Sequence, residues 1–194
     1  SREGREFIPG TVIAEELELE PIQVRKDLAV TGIIGKPRVG FHVEQLIQAI
    51  NAFLDWNRIH RAILVGAGNL GTALMGYAEF PRHGMQIVAA FDVDTEKIGR
   101  RLNGVPIYGA DEMEQRVPQL DPDMAILTVP SDSAQDMADG LVNCGIDAIW
   151  NFTNVKIKVP PRVVVQKEDL SSGYAVLAVK MRQNAPINAV GKTG

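Results

Sequence analysis

Three glycines stand close together in Gly66-Ala67-Gly68-Asn69-Leu70-Gly71. An apolar run, Ala62–Val65, precedes them, and an apolar-periodic stretch, Leu70–Phe80, follows. Strand, glycine turn and helix in that order form a cradle for a pyrophosphate. Gly66 permits the tight turn, Gly68 lets the phosphates approach the backbone, and Gly71 lets the helix lie close on the strand. The phosphates would meet unpaired N–H groups at the start of the helix. Asp92 lies about twenty residues on, at the end of the next apolar run, Ile87–Phe91, where a carboxylate accepts hydrogen bonds from ribose hydroxyls. Its charge opposes a 2′-phosphate, so the pattern points to NAD(H) rather than NADP(H); Asp94 is a second candidate for the role. Thr128-Val129-Pro130-Ser131 and Asn151-Phe152-Thr153 each end a later apolar run, and the carboxyl edge of such a sheet is where ligands bind.

Hydride chemistry usually needs an acid–base group beside the nicotinamide. His42, His60 and His83 are the histidines, and none follows a later strand. Cys144, near a helix end, reads as a buried small side chain rather than a nucleophile. No catalytic set and no metal site emerge. The single cysteine excludes an internal disulfide and a cysteine zinc site.

The elements that must position these residues follow from the patterning. A chain of 194 residues holds one large domain or two small ones. No apolar run is long enough to span a membrane, and Ser1–Gly10 lacks the apolar core of a secretory leader. Both favour the cytoplasm. From about residue 58 to 168, strand-like runs (Ala62–Val65, Ile87–Phe91, Val105–Ile107, Met124–Val129, Ala148–Trp150, Val163–Val165) alternate with helix-like stretches (Leu70–Phe80, Thr95–Leu102, Ala110–Val117, Ser133–Asn143). That alternation predicts an α/β fold with a doubly wound parallel sheet. A last helix is expected over Leu170–Arg182, and a loose tail over Asn188–Gly194.

Residues 1–57 read differently. Pro9-Gly10-Thr11 starts a short helix, and Pro21 starts a second, anchored inward by Ile22, Val24 and Leu28. Together they make a helix-turn-helix. Gly32–Gly40 is basic and glycine-punctuated, which suits a small hairpin or wing. The apolar positions 43, 46, 47, 50, 53 and 54 mark an amphipathic helix. The net charge is −4, so any affinity for nucleic acid must be local. Arg25, Lys26, Lys36 and Arg38 supply such a patch against Asp27 alone. In a winged helix the second helix enters the major groove and the wing reaches the backbone or minor groove.

Assembled in this order, the motifs resemble the Rex redox-sensing transcriptional repressors of bacteria. Gln23-Val24-Arg25-Lys26-Asp27-Leu28 is similar to that family's recognition helix, Gly35-Lys36-Pro37-Arg38-Val39-Gly40-Phe41 to its wing, and Val43-Glu44-Gln45-Leu46-Ile47 to its linker helix. Val65–Gly71, Ala89-Ala90-Phe91-Asp92, Ile126-Leu127-Thr128-Val129-Pro130 and Ile149-Trp150-Asn151-Phe152-Thr153 resemble its Rossmann nucleotide domain. One departure is Ala29-Val30-Thr31-Gly32, where the family usually has Ser-Tyr-Phe-Gly. The resemblance implies a winged-helix domain at 1–57 lacking its first helix, a Rossmann domain at 58–168, and a C-terminal domain-swapped helix and tail at 169–194. It implies NADH and NAD as cofactors, held by Gly66, Ala67, Gly68, Asn69, Leu70, Gly71, Asp92, Val93, Asp94, Thr128, Val129, Pro130, Asn151, Phe152 and Thr153. It implies a homodimer on double-stranded operator DNA, an AT-rich near-palindrome, contacted by Gln23, Arg25, Lys26, Thr31, Lys36 and Arg38. NADH would release that DNA, without catalysis. An NAD(H)-dependent oxidoreductase with a helical appendage, and a coenzyme A or other nucleotide-binding module, are the alternatives.

Overall fold

A computed structural model describes residues 4–183; the expected tail, Asn188–Gly194, lies outside them. The chain forms two compact units. One takes the residues up to His60 together with Ala78–Gln86, and the other takes Arg61–Tyr77 and the chain from Ile87 onward.

The first unit opens with a short strand β1 (Phe7–Ile8), then α1 (Gly10–Glu16) and α2 (Pro21–Ala29). Strand β2 (Phe41–His42) leads directly into α3 (Val43–Phe53). Pro9 caps α1, and Pro21 occupies the first turn of α2, where its missing N–H costs nothing. Among the described residues of this unit, Ala14 on α1, Val24 on α2 and Leu46 on α3 are the buried side chains. The inward role expected of Ile22 is not observed; it is 64% exposed. It precedes Val24 by two residues, which places it on the far side of the helix. The expected hairpin over Gly32–Gly40 is reduced to a tight loop, with a single antiparallel bridge between Lys36 and Gly40. The ladder forms elsewhere: β1 pairs β2 with Phe7 opposite His42 and Ile8 opposite Phe41. Phe7 and Ile8 bring apolar side chains to this pairing, whereas the glycines of the loop bring none.

The second unit is a seven-stranded sheet of order β5-β6-β4-β3-β7-β8-β9. The chain runs through β3 (His60–Val65), α4 (Asn69–Met75), the short α5 (Glu79–Arg82, in the stretch that belongs to the first unit), β4 (Met85–Asp92), β5 (Arg101–Leu102) and β6 (Val105–Gly109). It continues through α6 (Met113–Leu120), β7 (Met124–Leu127), α7 (Ala134–Asn143), β8 (Ala148–Asn151), β9 (Val164–Lys167) and α8 (Leu170–Gln183). Strands β3/β7, β4/β6, β7/β8 and β8/β9 pair in parallel; β5 is antiparallel to β6. Ala62–Val65 and Ala125–Leu127 are 0–1% exposed, as strands covered on both faces must be. The order reverses between β3 and β7. A crevice opens at such a reversal, outside the carboxyl ends of the strands.

Two expected helices differ. Leu70–Phe80 stops at Met75, because Gly76 follows and the Asn103 amide, bonded to the Thr72 carbonyl at 3.1 Å, crowds the next turn. Thr95–Leu102 is not a helix. One turn closes on the Asp94 carbonyl, Gly99 leaves at φ +82°, and β5 and β6 form a hairpin about Asn103-Gly104 at φ +48° and +81°. An Asn-Gly pair is the strongest short-range hairpin signal, and here it overrides helical spacing.

Leu127, fully buried on β7, tests this core. Leu127→Ala should lower unfolding free energy by about 2–5 kcal/mol, read from urea denaturation midpoints.

Candidate dinucleotide site and basic face

The ends of β3, β4 and β7 are tied together before they meet any ligand. Gly66 donates to the Phe91 carbonyl at 2.8 Å, and Thr128 donates to the Val65 carbonyl at 2.9 Å. The Thr128 hydroxyl lies 2.7 Å from the Gly66 oxygen and 3.1 Å from the Val65 oxygen. Gly66 turns at φ +99°, and a side chain there would meet the Thr128 carbonyl at 2.8 Å. A side chain on Gly71 would collide with the Gly66 carbonyl. Both glycines are therefore required by the protein itself. Gly68 is different. It has φ −73° and nothing within 4 Å of a Cβ built on it. It stands at the N-cap of α4 with open space before it, where the first helical N–H groups are available to a ligand.

That space is a cavity of about 440 Å³. Gly66, Gly68, Asp92, Val93, Thr128, Val129 and Pro130 line it, all expected from the sequence. Phe91, Lys97, Ala110, Ser133 and Met137 line it as well and were missed. Lys97 was legible in principle, since it stands three residues beyond Asp94 on the turn after β4. The others belong to later connections that only the folded sheet brings round. The lining is mostly apolar, with a few polar groups, as nucleotide pockets are.

Asp92 is 9% exposed, and both of its oxygens are occupied. One accepts the Ala67 N–H at 2.6 Å, the other the Asp94 N–H at 2.8 Å. The Lys97 ammonium lies 3.6 Å from Asp92 and 3.1 Å from Asp94. The Glu96 backbone N–H, and then Lys97, hold the Asp94 carboxyl below the ordinary carboxylate range. The hydrogen bond to Asp94 holds Lys97 above the usual lysine value.

The remaining expected residues stand outside this lining. Ala67, Asn69, Leu70 and Gly71 form the turn and the first turn of α4 behind it. Asn151 and Thr153 are buried and bonded to each other: the Asn151 oxygen accepts the Thr153 N–H at 2.9 Å and its hydroxyl at 2.7 Å. The Asn151 amide donates to the Val155 carbonyl at 2.9 Å. Phe152 donates its N–H to the Leu127 carbonyl, and its ring lies 4.9 Å from Trp150. These groups stabilise the end of β8. His42, His60 and His83 all belong to the first unit, while the cavity belongs to the second. Cys144 is half-buried rather than buried, and the partial burial still raises its thiol pKa, the opposite of an activated nucleophile.

The first unit carries a basic concavity of about 460 Å³, into which Arg25, Lys36 and Arg38 converge beside Pro9-Gly10-Thr11. Arg38 takes φ +65° at the tip of the loop, whose ends are closed by reciprocal Lys36–Gly40 hydrogen bonds of 2.7 and 2.9 Å. Lys36 lies 4.6 Å over the Phe7 ring. Gln23 and Lys26 are exposed on α2, Gln23 bonded to Asp27 at 2.7 Å. The Thr31 hydroxyl donates to the Leu28 carbonyl at 2.7 Å, closing the end of α2.

Residues 57–155 match the family model described as a CoA binding domain. The redox-sensing transcriptional repressor Rex of Treponema denticola is 60% identical over 176 residues, covering 91% of this chain and 84% of the relative. The protein of the same name from Bacteroides thetaiotaomicron is 40% identical over 181 residues, covering 93% and 82%. Among solved structures, the Rex-family repressor RSP in complex with NAD⁺ and operator DNA superposes with a TM-score of 0.87 at 29% identity, over 94% of this chain and 84% of that one. RSP in complex with NADH gives 0.85 at 28%, over 94% and 85%.

Gly68 and Gly71 should separate cleanly. Gly68→Ala should keep the thermal midpoint of the parent while weakening NADH binding by at least about tenfold, or 1.4 kcal/mol. Gly71→Ala should instead destabilise the fold by about 1–3 kcal/mol. Melting curves beside fluorescence titrations with NADH check both.

Proposed function

The chain belongs to the Rex family of redox-sensing transcriptional repressors, and we propose that it binds operator DNA as a homodimer and leaves it when NADH occupies the Gly66–Gly71 site. The observation that carries this reading is the open approach to Gly68 beside Asp92 in a chain that also bears a basic helix and loop. Gly66 and Gly68 would receive the pyrophosphate, and Asp92 the adenine ribose. Thr128, Val129 and Pro130 form the wall toward the nicotinamide. Arg25 and Lys26 would enter the major groove from α2; Lys36 and Arg38 would take phosphates from the loop. The operator is an AT-rich near-palindrome, matching a two-fold dimer whose half-sites lie about one helical turn apart.

Bound dinucleotide supplies binding free energy that differs between two dimer geometries; a ligand indifferent to them would shift nothing. A coupling of about 1–3 kcal/mol is typical of such linkage. Helix α8 supplies the dimer contact by crossing to the partner. Tyr174, Leu177 and Met181 are 73%, 54% and 64% exposed within one chain, which favours a partner to cover them. Among the described residues, no helix is long and apolar enough to cross a membrane. The protein works in the cytoplasm, where the nicotinamide pool and the chromosome meet.

The match to a CoA binding domain makes coenzyme A the competing ligand. Displacement of NADH by low concentrations of coenzyme A, without effect on DNA binding, would favour that reading.

A gel-shift titration on a near-palindromic operator should show NADH dissociating the complex; retention of the complex at saturating NADH would sink the switch. Arg25→Ala should weaken operator binding by about 1–3 kcal/mol with NADH affinity intact. Asp92→Ala should do the reverse, binding DNA but failing to respond to NADH. Loss of both activities in both variants would indicate misfolding instead.

A further inference from the structure

We propose that Asp94, rather than Asp92 alone, sets the discrimination of this site against 2′-phosphorylated dinucleotides, by holding the Lys97 ammonium away from the place a 2′-phosphate would take. The inference rests on the NAD(H) reading above and deepens it.

Two carboxylates and one ammonium meet at the end of β4, beside the cavity. Asp92 has little freedom there. It is nearly buried, and its oxygens are held by the Ala67 and Asp94 N–H groups at 2.6 and 2.8 Å. Asp94 is exposed at 40% of its side chain. One of its oxygens accepts the Glu96 N–H at 3.0 Å, and the other lies 3.1 Å from the Lys97 ammonium. Lys97 lines the cavity, with a third of its side chain still exposed. Among the described residues it is the one cationic side chain in that lining. A flexible ammonium on a four-carbon stem is well suited to reach a phosphate. In this chain its charge is engaged by Asp94 and leans toward Asp92.

The charge balance then decides the ligand. With Asp94 present, the contacting trio of Asp92, Asp94 and Lys97 sums to one negative charge. A 2′-phosphate brings about −1.5 to −2 more at neutral pH, as any phosphomonoester does. Repulsion follows: Lys97 is engaged by the carboxylates, and Arg100 acts on Asp94 only as a weaker, more distant charge. Two ribose hydroxyls carry no charge and incur no such cost. Without the Asp94 charge, only Asp92 remains, with its oxygens turned to the backbone. The local sum falls to zero and Lys97 is released. A charge-assisted hydrogen bond to a phosphate oxygen then becomes available. Asp92 thus shapes the turn and receives the ribose, while Asp94 governs which dinucleotide is admitted.

The test is fluorescence titration of the full chain with NADH and with NADPH. The parent should bind NADH and discriminate against NADPH. Asp94→Asn keeps an oxygen for the Glu96 N–H and removes the charge; it should raise the NADPH-to-NADH affinity ratio at least about tenfold. Asp94→Ser should shift the ratio in the same direction. Adding Lys97→Met to Asp94→Asn should cancel the gain, and higher salt should shrink it. An unchanged ratio in both Asp94 variants overturns the proposal, as does a gain that survives Lys97→Met. A parent that binds no NADH overturns the underlying dinucleotide reading instead, and is recognised before any variant is compared.

Discussion

Helix α4 meets β3 so closely at Gly71 that the Gly66 carbonyl occupies the place of a side chain. Nearly everything at the carboxyl edge of the sheet depends on that contact. It fixes the direction of the first turn, and the same carbonyl is then held by the Thr128 hydroxyl from β7. The next residue, Ala67, points its N–H at Asp92 from β4. Three strand ends from separate parts of the sequence are thereby locked within a few ångströms. The lock sits where the strand order reverses, so the crevice between the two halves of the sheet has a rigid floor.

The floor also resolves an electrostatic difficulty. A carboxylate as buried as Asp92 is costly unless hydrogen bonds hold it, and a buried N–H such as that of Ala67 is costly unless an acceptor meets it. Each satisfies the other at 2.6 Å. The glycine turn and the acidic residue are therefore joined in one structural device before either meets a ligand. Asn151 and Thr153 do the same service at the end of β8, where side-chain oxygens replace backbone partners that the loop cannot offer.

The sequence made the β3–turn–α4 unit legible because its signal is local: an apolar strand, glycines at fixed intervals and a periodic helix. The parallel sheet was legible for the same reason, since doubly buried strands such as Ala62–Val65 are continuous apolar runs. What escaped depends on distant partners. Phe7–Ile8 becomes a strand only because Phe41–His42 lies opposite. Thr95–Leu102 has helical spacing, yet Gly99 and the Asn103-Gly104 turn make it a hairpin edge. In the site, Lys97, Ala110, Ser133 and Met137 were missed because no spacing rule joins three separate connections. Asn151 and Thr153 end a strand at the edge where such sheets bind ligands, and their side chains bond to each other within their own loop.

Helix α8 extends the same logic beyond one chain. Tyr174, Leu177 and Met181 share one side by their spacing, while Val176 and Val179 share another. All five are more than half exposed. A helix apolar on a single side needs one surface to lie on; a helix apolar on two sides needs to be enclosed. A shallow face-to-face dimer would cover one row and leave the other in water. Insertion into a partner, the arrangement proposed for α8, would cover both.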